Sequence, residues 1–144
     1  MKGRSGAGPG VRPPRLERGP EAGGPPTPGL LALAALFVGA GALHVLRPGP
    51  FDRIVPPWVP MSPRTATLVS GAAEIAGGLG LLHPATRPAA RVGLLALLVA
   101  VFPANAGMAW NAERFRPLPE WALWARLPLQ PLLMVLVWRA GRTT

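Results

Sequence analysis

Four apolar runs, each close to the length that crosses a bilayer, constrain this chain more than any single motif. They lie at about residues 29–46, 65–82, 89–109 and 121–138. A helix rises about 1.5 Å per residue, so a run of about 18 residues covers roughly 27 Å, near the ~30 Å thickness of bilayer hydrocarbon. Backbone polar groups in hydrocarbon have to be satisfied within the segment, which leaves helices as the fold for isolated runs. The expected architecture is all-α: a four-span transmembrane helical bundle over residues 29–140, with a disordered N-terminal tail. Composition agrees, since only 15% of residues are charged where a soluble domain carries about 25%.

Residues 1–28 are different in kind. Gly, Pro and Arg dominate, no apolar periodicity runs through them, and such a segment buries too little surface to offset its ordering entropy. The Gly39-Ala40-Gly41-Ala42 stretch imitates a signal-peptidase site. The tail before it is too long for an ordinary signal n-region, and apolar character continues to Leu46, so the first run reads as a retained span. A net charge of +9 raises the question of nucleic acid. The basic residues sit in tails and short loops, with no basic helix and no aromatic platform between them, so nucleic acid is not the expected partner and the lipid bilayer is. Cysteine is absent, which removes disulfides, thiolate metal sites and thiol redox chemistry.

With four spans, Lys2, Arg4, Arg12, Arg15, Arg18, Arg87, Arg91, Arg139 and Arg142 share one side. Arg47, Arg53, Arg64, Arg114 and Arg116 fall on the other. The positive-inside rule then puts both termini in the cytoplasm. The link between the first two spans, residues 47–64, has prolines at 48, 50, 56, 57, 60 and 63, so no regular helix or central strand is expected there. Its Phe51, Ile54, Val55, Trp58 and Val59 are too apolar for an ordinary loop. They fit either a cap resting at the membrane interface, with Trp58 at headgroup depth, or a stiff connector.

Each span carries a polar residue that needs explaining. The second holds Glu74, which costs about 2.5–3.5 kcal/mol at mid-bilayer without a partner. On a helix, Ser70, Gly71, Glu74, Gly77, Gly78 and Leu81 share one face, suited to a helix–helix contact, while Leu68, Ile75, Leu79 and Leu82 lie on the lipid-facing side. The third span has Asn105 just after Pro103, and such a kink usually faces protein. The fourth has Arg126 and Gln130 four residues apart, hence stacked, with Pro128 and Pro131 beside them. His44 lies near the end of the first. From the helical rise, His44, Asn105, Arg126 and Glu74 come out roughly 3 Å, 6 Å, 8 Å and 14 Å below the outer end.

Two readings of this layer compete. In the structural one, a Glu74–Arg126 pair fixes the register of the bundle while Asn105 and Gln130 satisfy the remaining hydrogen bonds. In the functional one, His44, Trp58, Glu74, Asn105, Arg126 and Gln130 line a pocket for an amphipathic ligand such as a quinone headgroup. No catalytic residue is assigned. One His, one Glu and one Asn on separate spans make too thin a ligand set for a metal. No dinucleotide fingerprint or haem-binding Cys pair is present, so no prosthetic group is identified and the cofactor stays unknown, with a quinone as one candidate.

An ordered set of patches resembles the DoxX-type membrane proteins over roughly residues 30–140. They are Gly41-Ala42-Leu43-His44 with Pro48 and Phe51, Ile54-Val55-Pro56-Pro57-Trp58, Ser70-Gly71 with Glu74 and Gly77 to Leu82, Val101 to Asn105, and Arg126 to Gln130. The resemblance implies a four-helix protein of the bacterial inner membrane. For some members it implies association with quinol oxidase, with thiosulfate–quinone oxidoreductase, or with membrane oxidoreductases of oxidative-stress defence. The expected role is therefore an accessory or quinone-interacting subunit of a membrane redox system, with membrane redox proteins as partners. The alternatives are a small-molecule carrier or permeability protein, and a structural membrane partner without chemistry of its own.

Overall fold

A computed structural model of the protein describes residues 25–116 and 118–140, and is helical with no strand among them. Most of the expected disordered tail, residues 1–24, lies outside the described residues. Four long helices follow in order: α1 (Pro28–Leu46), α3 (Pro63–Leu82), α4 (Arg87–Trp110) and α5 (Glu120–Arg139). Each is long and apolar enough to cross a membrane. Their exposed surfaces carry Leu31, Leu36, Val69, Leu79, Val92, Val99, Leu132 and Val135. Apolar side chains on the outside of every long helix are what lipid requires of a bundle. The protein is a multi-pass membrane protein.

Caps and prolines set the helix ends. Thr27 accepts a hydrogen bond from the Leu30 amide at 3.3 Å ahead of Pro28, and Ser62 accepts one from the Thr65 amide at 3.1 Å ahead of Pro63. Proline suits these first-turn positions because its missing N–H would have no intrahelical partner there. The turn from α3 to α4 is sealed from both sides. Thr86 Oγ1 donates to the Gly80 carbonyl at 2.8 Å, and Arg87 Nε donates to the Leu81 carbonyl at 2.8 Å. Pro103, Pro128 and Pro131 sit inside α4 and α5 without ending them. Pro103 itself is exposed, and it is Asn105 that turns inward.

Neighbours in the chain are neighbours in the bundle: α1 lies on α3, α3 on α4 and α4 on α5. At the end holding the α3–α4 turn, one apolar core joins all four long helices through Leu30, Leu33 and Phe37, Leu81, Leu94 and Leu98, and Val137. Helix α3 is wedged closely on both sides by glycine. A Cβ at Gly78 would lie 2.9 Å from the Ala34 carbonyl on α1, and one at Gly77 would lie 2.5 Å from Leu94 Cδ2 on α4. The small-residue face read from the sequence is thus the contact face, with Gly71, Gly77, Gly78 and Leu81 all buried. Ile75 departs from its expected place toward lipid and stands at the α1 contact, against Gly41.

The proline-rich link is not wholly irregular. Pro48–Asp52 forms a one-turn helix, α2, because both of its prolines fall in the first turn, where amide hydrogens are unpaired in any helix. Beyond α2, Ile54 packs against the cluster of Met108, Ala109 and Leu123 at the other ends of α4 and α5. Asp52 Oδ2 accepts from Arg64 Nε at 2.9 Å, tying α2 to the start of α3. The segment is therefore a strap across one end of the bundle. A 3₁₀ turn, Ala112–Phe115, links α4 to the approach to α5.

Candidate functional site

Gly41 on α1 and Gly71 on α3 are pressed together where the two helices cross. A Cβ on Gly71 would stand 2.7 Å from His44 Cβ and 2.9 Å from the Gly41 carbonyl, while one on Gly41 would stand 3.0 Å from Glu74 Cβ. Each glycine makes room for the polar side chain three residues along the opposite helix. The antiparallel crossing then aims those two side chains at each other. His44 Nδ1 lies 3.2 Å from Glu74 Oε2, and each side chain is only 17% exposed.

The contact is close but not aligned. The same Nδ1 is 2.8 Å from the Ala40 carbonyl, one turn back on α1, so its proton is directed there. Glu74 Oε2 stands beside it with no hydrogen-bond partner of good geometry, and is shielded from solvent. A proton on Nδ1, assigned from this network, leaves Nε2 of a neutral imidazole as a lone-pair acceptor. The imidazole also stacks on Phe51 of α2, with ring centroids 3.8 Å apart and planes 26° from parallel. The strap thus supplies one wall of the site. Phe51 is the residue that sequence reasoning misses as a site member, although its place seven residues after His44 and just past Pro48 is the available signal.

The expected Glu74–Arg126 pair is not formed. Glu74 faces α1, because the close approach at Gly41–Gly71 and Ala34–Gly78 fixes that side of α3 against α1. Arg126 lies on α5, is exposed, and donates Nη1 to Met108 Sδ on α4 at 3.6 Å. Arg126 and Gln130 therefore do not act as one inward face.

Gln130 is 3% exposed and wholly committed. Its Oε1 accepts from Asn105 Nδ2 at 2.7 Å, and its Nε2 donates to the Leu98 carbonyl. These bonds fasten α5 to α4 and leave little in Gln130 for a ligand. Trp58, 67% exposed, stands on the strap, with no described contact to the buried polar groups. The six candidate residues thus divide. His44 and Glu74 meet under Phe51, with Arg126 at a distance. Asn105 and Gln130 form a separate clamp, and Trp58 faces outward. No group of three or more His, Cys, Asp or Glu residues that could hold a metal occurs among the described residues.

The match to one family extends from within α1 to just past the end of α5, over residues 33–141. The chain belongs to the family described as Domain of unknown function (DUF8561). The strap, the Gly41–Gly71 crossing and all six candidate residues lie inside the matched span. No curated protein and no solved structure matches the chain.

Proposed function

We propose that the protein is a DoxX-like subunit of a membrane redox system that receives a quinol headgroup at His44. Its setting in this reading is the bacterial inner membrane, with both termini in the cytoplasm and a membrane oxidoreductase as partner. The supporting observation is the half-buried contact of His44 with Glu74, with the imidazole stacked on Phe51. An imidazole with its proton on Nδ1 offers Nε2 to a quinol hydroxyl, and the neighbouring carboxylate favours the imidazolium that forms when Nε2 takes the hydroxyl proton. The two electrons, together with the proton of the second hydroxyl, leave to the membrane redox partner. The Arg126 guanidinium suits the second quinol oxygen, on the α5 side of the headgroup.

The test is mass spectrometry of quinones retained after purification in mild detergent. Wild-type protein should retain about one quinone per chain, and His44→Ala and Glu74→Gln should lose it. Arg114→Gln, an exposed change outside the site, should keep it. Folded wild-type protein without quinone, or equal retention by His44→Ala, refutes the reading. Substrate flux across vesicles containing this protein alone would point to the carrier alternative.

A further inference from the structure

The strap end of the bundle holds a cleft that the quinol reading does not use. It encloses about 800 Å³ between the last turn of α4, the 3₁₀ turn and the start of α5. Two tryptophans make one corner of it. Trp110 ends α4, and Trp124 lies one turn into α5. Their ring centroids are 6.3 Å apart with planes at 80°, an edge-to-face contact. Two indoles set at a right angle leave ring face open along the corner, and the residues are 70% and 42% exposed. The face of an indole is the negative side of its quadrupole and attracts cations.

One carboxylate is fixed at that corner. Glu120 Oε1 accepts a hydrogen bond from Trp124 Nε1 at 3.3 Å, across one turn of α5. Glu113, on the 3₁₀ turn, brings a second carboxylate to the lining, and Leu118 supplies an apolar flank. The one cation in the lining is Arg116. Among the described residues it pairs with neither glutamate and lies over neither indole. Two carboxylates against one guanidinium leave the cleft one negative charge. Open indole faces, a positioned carboxylate and a single surplus negative charge suit a monocation that also has apolar surface. A hard metal ion would take several oxygen ligands, and the described residues hold no group that could supply them.

We propose that the cleft binds an alkylated ammonium group, seated in the Trp110–Trp124 corner against the Glu120 carboxylate. Lipid headgroups and free amines both carry this group, and a cleft walled by tryptophans at the end of two spans is open to either. It shares no lining residue with the His44–Glu74 contact, so the proposal stands apart from the quinol reading.

The full chain, purified in an uncharged mild detergent, is titrated with choline and followed by tryptophan fluorescence. The control ligand is 3,3-dimethyl-1-butanol, the neutral isostere of choline. Choline should give a saturable change and the alcohol none. Trp110→Leu should weaken choline about fivefold, the loss of one cation–π face, with Trp124 still reporting. Glu120→Gln should also weaken it, whereas Arg116→Gln should tighten it by removing a like charge from the cleft. Arg139→Gln, the same charge change at the other end of the bundle, should leave it unchanged. An equal response to the alcohol, or choline affinity unaltered by Trp110→Leu and Glu120→Gln, overturns the proposal and leaves the tryptophans as interfacial anchors. If those two variants do not fold, Arg116→Gln, an exposed change, decides, and unchanged or weaker binding there overturns it. Phosphocholine separates the sources. Binding tighter than that of choline, and lost in Arg116→Gln, marks a lipid headgroup with its phosphate on Arg116; binding weaker than that of choline marks a free amine.

Discussion

Gly71→Ala tests the crossing that builds the candidate site. The added methyl would meet His44 Cβ at 2.7 Å and the Gly41 carbonyl at 2.9 Å, whereas ordinary contact begins at 3.4 Å. The neighbours are backbone and a Cβ, which cannot swing aside, so α1 and α3 have to part by roughly 0.5–0.7 Å. Over-packing of this kind costs about 1–3 kcal/mol. Alanine returns up to ~1 kcal/mol through its better helix propensity. The net expectation is a loss of up to about 2.5 kcal/mol. The same displacement would stretch the 3.2 Å His44–Glu74 contact toward the limit of an ion pair. Gly39→Ala is the matched control, since nothing lies within 4 Å of a Cβ there, and it should be neutral or slightly stabilising. Reversible unfolding of the solubilised protein by titration with a denaturing detergent measures both. The close crossing predicts a loss of stability at Gly71 and none at Gly39. A Gly71→Ala protein as stable as Gly39→Ala would refute the close crossing and the site built on it.

Two further outcomes follow from the remaining contacts. Gln130→Leu leaves the Asn105 amide without its acceptor and should cost about 1–2 kcal/mol, while Asn105→Leu combined with it should recover part of the loss because no orphaned donor remains; additive losses in unfolding titrations would show that the two do not act together. In the proposed orientation, with both termini cytoplasmic, a cysteine replacing Ala112 should react with an impermeant thiol reagent in intact cells and one replacing Ala85 should not, and the reverse pattern would overturn that orientation.

The spans are legible in the sequence because hydrocarbon tolerates few polar residues, and a run free of them has to be helix. Their ends are less legible. Pro63 and Arg87 begin helices ahead of the apolar runs, because first-turn prolines and a side chain capping the previous helix carry no hydrophobic signal. The strap shows the same limit: Pro48 and Pro50 argue against helix in general but not in a first turn. The Asn105–Gln130 bond satisfies two polar residues whose depth alone marks them as needing partners.

The partner of Glu74 shows where reading by depth and charge fails. Opposite charge on another span favours Arg126, but a helical face says only which side is occupied, and the neighbour on that side is set by how near it can come. Small residues set that distance. Gly41-x-x-His44 on α1 and Gly71-x-x-Glu74 on α3 repeat one pattern, a glycine followed three residues later by a polar side chain. In an antiparallel crossing the two glycines meet, and each polar side chain lies over the opposite glycine, which is the arrangement found. Steric access at the crossing therefore outweighs formal charge in choosing the partner. The histidine wins because α1 can approach there, and an arginine on α5 has no glycine-cleared path to Glu74.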